Sequence, residues 1–248
     1  MRGIVKKFCE KYHLKPLAKK IIKLIDPVTF RFRRKFGLVD RKIIRKYSSQ
    51  NDKRKLHIGC GNHILDGWLN SDCYPRSATI LHLDATKSFS LGDESFDYIF
   101  SEHMIEHISY VQGRTMLKEC FRILRTNGTI RISTPDLSFL IDLYKEDKSY
   151  LQKEYIKWTT DKHIKYAPCY EDTFTINNFV RGFGHQFIYD EKTLRFLMEK
   201  AGFVNIVRCN FKESEDNLLC NLENEKRLPN EFLKLETFTL EGVKSIAG

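Results

Sequence analysis

Lys55-Leu-His-Ile-Gly-Cys-Gly-Asn-His63 decides how this chain is read, together with Asp72, which closes the run Trp68-Leu-Asn-Ser71. Lys55 to Ile58 leans apolar and ends on glycines, the pattern of a strand breaking into a tight loop. Gly59 and Gly61 let the backbone turn sharply and approach a ligand with no Cβ in the way. In a parallel α/β sheet ligands bind where the ends of neighbouring strands meet, and a carboxylate there accepts both hydroxyls of a ribose. The pair of elements points to a nucleoside-containing cofactor. A dinucleotide-binding reading fits worse, because it needs G-x-G-x-x-G and an acid about 20 residues on. Here Ile64 stands at the third glycine and the acid comes early.

Further strands are expected downstream at Ile80 to Leu83, ending on Asp84, and at Phe96 to Phe100, ending on Ser101-Glu-His-Met-Ile-Glu-His107. Met116 to Arg125 has helical spacing, with Asn127-Gly128 as its left-handed stop. Gly128 to Pro135 reads as a fifth strand, and Asp136 as the cap of a helix running to about Lys145. Asp190 caps a helix through Lys200 that Gly202 stops; Phe203 to Asn210 and Phe232 to Leu240 read as the sixth and seventh strands.

These pieces resemble the class I S-adenosylmethionine-dependent methyltransferases, in particular the small type 11 group. The resemblance rests on LHIGCG, LNSD, LHLDAT, SFDYIFSEHMIEHI, ECFRILRTNGTIRISTPD and GHQFIYDEKTLRFLMEKAGF, spread over residues 55 to 210. It implies an α/β, Rossmann-like fold whose seven-stranded sheet is mostly parallel with an antiparallel last strand. It also implies S-adenosyl-L-methionine as cofactor, contacted by His57, Gly59, Cys60, Gly61, Asp72, Cys73, Asp84, Ala85, Ser101 and His103. In the family Asp72 would hold the ribose and Asp84 the adenine edge; a plain capping aspartate before Thr86 is the alternative.

The first loop departs from the family pattern. Many relatives carry an acid at His57 and a glycine at His63, and an imidazole cannot stand in for a carboxylate accepting two donors. The short spacing from Gly61 to Asp72 leaves no room for a full first helix, as in relatives often found in surface-polysaccharide pathways.

Ser101 to His107 carries the chemistry, at the end of the central strand. His103-x-x-Glu-His107 formally matches an H-x-x-E-H zinc protease signature, but that needs a long continuous helix, which Ser109-Tyr110 interrupts. A second resemblance is to an E-x-x-E-H cation site of some O-methyltransferases, which His103, Glu106, His107 and His185 would supply. A third is to metal-free type 11 enzymes, in which Glu106 or His107 orients or deprotonates the acceptor. The favoured assignment makes His107, Glu106 and His185 catalytic, with no metal.

The polar, aromatic stretch 146–189 is expected to form the lid over the acceptor, and Asn177, Asn178, Arg181, His185 and Tyr189 are its contact candidates. A hydroxyl of a small molecule or a lipid-linked glycan is the expected acceptor. A base amino group is disfavoured, since Ser101-Glu-His-Met104 lacks the Asn/Asp-Pro-Pro-aromatic pattern of adenine methyltransferases. A metal-dependent hydrolase and a non-catalytic binding module remain as alternatives.

The 248-residue chain carries +10 net charge, 42% hydrophobic and 30% charged residues, which fits a globular protein rather than a disordered one. No run approaches the roughly 18 apolar residues of a membrane span, and no secretory apolar region stands at the N-terminus. The seven cysteines are scattered without a C-x-x-C pair, which speaks for a reducing cytoplasm and against a disulfide framework. Residues 1–55 hold 19 Lys and Arg against 4 Asp and Glu, while the remainder is net acidic. Residues 1–50 therefore read as a basic helical extension to a methyltransferase domain at 51–248. Such an extension packs on its domain, rests on an anionic inner membrane surface or, less favoured, meets nucleic acid.

Overall fold

The computed structural model describes residues 37–245. The expected helical repeats at Ile4 to Ile25 and the basic-aromatic run Arg31 to Phe36 lie outside them. The chain divides after Gln50. The described part of the leading unit is helix α1 (Leu38–Gln50), with Asp40 in its first turn.

From Asn51 onward the strands are β1 (Lys55–Ile58), β2 (Leu69–Asp72), β3 (Leu81–His82), β4 (Phe96–Glu102), β5 (Leu124–Pro135), β6 (Phe203–Cys209) and β7 (Thr237–Lys244). They form one sheet in the order β3-β2-β1-β4-β5-β7-β6. β1 pairs in parallel with β2 and β4, and β4 with β5, whereas β7 runs antiparallel between β5 and β6. The order reverses at β1 and β4, so the carboxyl ends of β3, β2, β1 and β4 lie side by side at the switch point where such sheets bind ligands.

The helices of this unit are α2 (Tyr110–Ile123), α3 (Leu137–Leu143), α4 (Tyr150–His163), α5 (Asp172–Arg181), α6 (Glu191–Ala201) and α7 (Asn230–Glu236). A reciprocal capping box between Ser109 and Gln112 starts α2, which buries Met116, Leu117, Cys120 and Ile123. Fully burying each such apolar side chain contributes about 1.5–3 kcal/mol. Asp136 caps α3 and Asp190 caps α6, and Gly202, at φ 107°, ends α6 as expected.

Two local expectations are corrected. Helix α2 ends at Ile123, and Asn127, at φ 63°, turns inside the long strand β5 rather than capping a helix. Phe232 to Glu236 belongs to α7, started by Pro229, and the last strand begins only at Thr237. An apolar run that short does not distinguish strand from buried helix.

No helix fills the crossover from β1 to β2, as its length dictates. Crossover handedness would place that helix on the sheet face opposite α2. There Leu219 and Leu222, from the irregular segment 210–229, pack against Trp68 and Phe100. Polar ties hold the segment down: Tyr98 donates to Asp216 at 2.6 Å, and the Asn224 amide donates to Glu102 at 2.9 Å. Arg131, fully buried, bonds Glu223 at 2.8 Å, Glu241 at 2.5 Å and the Glu213 carbonyl at 2.9 Å. Among the described residues, no helix is long and apolar enough to cross a membrane.

Candidate active site

The loop after β1 is built on two left-handed glycines, Gly59 at φ 72° and Gly61 at φ 52°. A Cβ on Gly59 would stand 2.3 Å from Met104 Cγ, so the side chain from the β4 end occupies that space. Gly61 has no atom within 4 Å of a Cβ position and presents bare backbone to open space. Its amide donates to Asp72 Oδ2 at 2.9 Å, and the Tyr74 amide donates to Oδ1 at 2.7 Å. An ionised carboxylate offers about four acceptor sites, so Asp72 keeps capacity for two hydroxyl donors.

The Ser101 hydroxyl is buried without a hydrogen-bond partner at the end of β4, on the residue in register with Ile58. A bare-backbone loop, a half-satisfied carboxylate and an orphaned hydroxyl at the carboxyl ends of neighbouring strands fit S-adenosyl-L-methionine. Cys60 is buried beside them, its amide donating to the Ser71 carbonyl, and burial pushes its thiol up to about 11. Cys73 and Ala85 follow Asp72 and Asp84 at the neighbouring strand ends; burial and the two aspartates raise the Cys73 thiol.

Three of the expected cofactor contacts already have partners within the protein. The His57 ring is buried in β1, with Nδ1 3.1 Å from Asn70 Oδ1, and burial pulls its pKa down to about 4. Asn70 in turn clamps the backbone of Leu65 and Trp68, so His57 braces the loop from beneath. Asp84 follows its capping alternative: Lys87 stands 2.7 Å away, Thr86 donates twice, and these partners hold its pKa at about 2. His103, at φ 45°, reaches Thr237 Oγ1 at 3.0 Å and Glu106 Oε1 at 3.4 Å, on the acceptor side.

Glu106, His107 and His185 each bring a donor or acceptor atom within 4.8 Å of the others. Glu106 and His107 share the 3-10 turn Ile105–His107. Residues 185–187 are sewn to that turn: the Gln186 and Phe187 amides donate to the Glu106 carbonyl, and Gln186 Nε2 to the His107 carbonyl. The two imidazoles meet edge to face, 4.9 Å apart. Glu106 is wholly buried; Thr134 donates to its Oε2, while Oε1 has no well-formed hydrogen bond. Burial opposes the charge of Glu106, but His103 and His107 outweigh it and its pKa falls below the usual carboxylate range.

His185 Nδ1 lies 2.6 Å from the Phe179 carbonyl. A carbonyl only accepts, so Nδ1 carries the hydrogen and Nε2 keeps a free lone pair. Burial lowers the pKa of His185, leaving the ring neutral near pH 7.

Above these groups lies a cavity of about 220 Å³ between the β4 end and the lid helices α4 and α5. Its wall includes Tyr155, Trp158, Phe179, Phe183, Arg227 and Glu236. The expected lid thus folds as two helices, α4 opening on a Ser149–Gln152 capping box. Of its contact candidates only His185 lines the cavity; Asn177 bonds its own helix backbone, and Tyr189 is buried behind Gly113. Sequence reasoning missed Glu102, which accepts from Asn224 and stands 3.5 Å from His63, and the cavity residues Arg227 and Glu236. Glu102 sits between two residues already singled out; the other two lack any local motif.

Among solved structures, a SAM-dependent methyltransferase from Archaeoglobus fulgidus aligns over 87% of this chain and 99% of its own, with 18% identity and TM-score 0.45. A Haemonchus contortus phosphoethanolamine N-methyltransferase 2, in complex with phosphomonomethylethanolamine and S-adenosylhomocysteine, aligns over 84% of this chain and 52% of its own, at 14% identity and TM-score 0.41. No protein of curated function matches the sequence. A family model described as a methyltransferase domain matches residues 30–207. That match takes in the glycine loop, the acidic strand ends, the Glu106–His107 turn and His185, and the chain belongs to this family of S-adenosyl-L-methionine-dependent methyltransferases.

Proposed function

We propose that the protein methylates a hydroxyl of a glycan or other small molecule held in the cavity over Glu106, His107 and His185. The observation that carries this reading is the His185 ring, its Nδ1 held on the Phe179 carbonyl at 2.6 Å and its Nε2 left to take a proton beside Glu106 and His107. When bound, S-adenosyl-L-methionine supplies an electrophilic methyl group on a positively charged sulfur. Gly59, Gly61, Asp72 and Ser101 would hold it at the strand ends. His185 Nε2 then takes the proton of the acceptor hydroxyl, and the ionised Glu106 beside His107 stabilises the positive charge this brings to the imidazole cluster. The lid aromatics exclude water and align the acceptor. A lipid-linked acceptor would suit the basic residues 1–50, whose charge favours an anionic membrane surface.

The test is thermal unfolding with and without S-adenosylhomocysteine for the native chain, Asp72→Ala and His185→Asn. Ligand at about 100 times its dissociation constant adds roughly 2.7 kcal/mol, a rise of about 5–11 °C. The rise should vanish in Asp72→Ala and persist in His185→Asn, whose amide still donates to the Phe179 carbonyl. No rise in the native chain would refute the methyl-transfer reading.

A second reading is favoured by the unbonded Glu106 Oε1: a divalent cation held by Glu106, His107 and His185. Two imidazoles and one carboxylate suit a borderline-soft ion better than magnesium. Stoichiometric metal in the purified protein, lost in His185→Asn, would replace the base with a cation.

A further inference from the structure

Arg227, from the segment 210–229, lines the acceptor cavity together with His103, His107 and His185. Its guanidinium makes no hydrogen bond or ion pair with any described residue. Among the described residues, no other Lys or Arg lines this cavity. Glu236, the one carboxylate that the described residues bring to the lining, is already engaged: Tyr155 donates to it at 2.5 Å, and burial raises its pKa. It therefore competes weakly for the guanidinium. The positive charge of Arg227 favours the ionised form of both Glu236 and Glu102.

The cavity of about 220 Å³ has the volume of roughly seven waters, room for one small ring and its substituents. Trp158 and Phe183 add aromatic surface to the wall, and His107 and His185 supply imidazoles for a hydroxyl. The Arg227 guanidinium adds a planar fork of donors suited to an oxyanion.

Resting on the methyl-transfer reading, we infer that the acceptor is an anionic hydroxylated ring compound whose carboxylate or phosphate is bound by Arg227. Arg227 is then a specificity-determining residue, selecting acceptors by charge while His185 serves the reacting oxygen.

The test uses the full chain saturated with S-adenosylhomocysteine and ligand-detected NMR with two matched probe sets. One is methyl glucoside, glucuronate and glucose 6-phosphate. The other is 4-hydroxybenzyl alcohol, 4-hydroxybenzoate and 4-hydroxyphenyl phosphate. An anionic member should bind about tenfold or more tightly than its neutral counterpart, the scale of a charge-assisted pair. Arg227→Gln should erase that preference without changing S-adenosylhomocysteine affinity. Arg227→Lys separates the two sources: it keeps a point charge that serves phosphate but loses the fork that matches a carboxylate.

Equal binding of neutral and anionic members, a preference that survives Arg227→Gln, or no anionic probe bound at millimolar concentration would each overturn the inference. If S-adenosylhomocysteine binds the native chain and the anion preference is absent, only the acceptor assignment falls. If S-adenosylhomocysteine itself does not bind, the methyl-transfer reading falls first.

Discussion

Acid should weaken this fold through one imidazole, and His57 gives the size of the effect. Its ordinary pKa of 6.5 drops to about 4 in the folded protein because burial disfavours the charged ring. In the unfolded chain the ring takes a proton below pH 6.5; in the folded chain it stays neutral until about pH 4. Between those values the unfolded state binds more protons, so stability must fall as pH falls. The contribution is complete above pH 6.5, is lost down to about pH 4, and changes no further below that. At 1.36 kcal/mol per unit, the loss is ~3 kcal/mol, or roughly 6–12 °C in midpoint temperature for a domain this size.

Glu102 and Glu106 also have depressed pKa values and lose stability in acid, so the native curve alone is not diagnostic. His57→Gln supplies the control, because an amide can face Asn70 but does not titrate. Denaturant midpoints for both proteins should be measured from pH 4 to pH 8. Their difference should be flat above pH 6.5 and should move by ~3 kcal/mol in favour of the variant by pH 4. A difference that stays constant across that range would refute the assignment of a buried, neutral His57.

Two further substitutions test the loop and the covering segment. Gly59→Ala forces a side chain into a left-handed conformation, costing about 1–2 kcal/mol, and drives Cβ into Met104. Calorimetry should show S-adenosylhomocysteine affinity down by about tenfold or more, partly restored by adding Met104→Ala; unchanged affinity would mean the loop does not face the ligand. Arg131→Met leaves Glu223 and Glu241 buried without their partner and should cost about 3–5 kcal/mol in chemical denaturation, with Glu223→Gln recovering part of it. A loss under about 1 kcal/mol would show that the segment 210–229 does not depend on the ion cluster.

What could be read in advance follows from how local each signal is. The strand-glycine-glycine pattern at residues 55–61, the spacing to Asp72 and the caps Asp136 and Asp190 are short-range, and the folded chain keeps them. The capping box Ser149-x-x-Gln152 was equally local and marks α4, a helix that composition alone left as an undifferentiated lid. Phe232-Leu-Lys-Leu235 is ambiguous because four residues satisfy either period. Asn127-Gly128 is a turn signal that tertiary pairing placed inside β5. Arg227 and Glu236 reach the cavity through long-range packing, which no motif announces. His57 and Asp84 carry suitable chemistry in the right stretch, yet their partners Asn70 and Lys87 claim them.

The irregular cover over β1 and β4 has a consequence for the order of events during synthesis. Its ties join residues far apart in sequence: 118 positions from Tyr98 to Asp216, 122 from Glu102 to Asn224 and 92 from Arg131 to Glu223. Closing such loops costs entropy before any contact repays it. Strand β7, which carries Glu241 and inserts between β5 and β6, leaves the ribosome after the other strands of this sheet. Until it arrives, one edge of β5 is unpaired and Arg131 lacks one of its two carboxylates. The nascent domain therefore waits with a hydrophobic sheet face and an open strand edge, the state in which a chain most needs a chaperone.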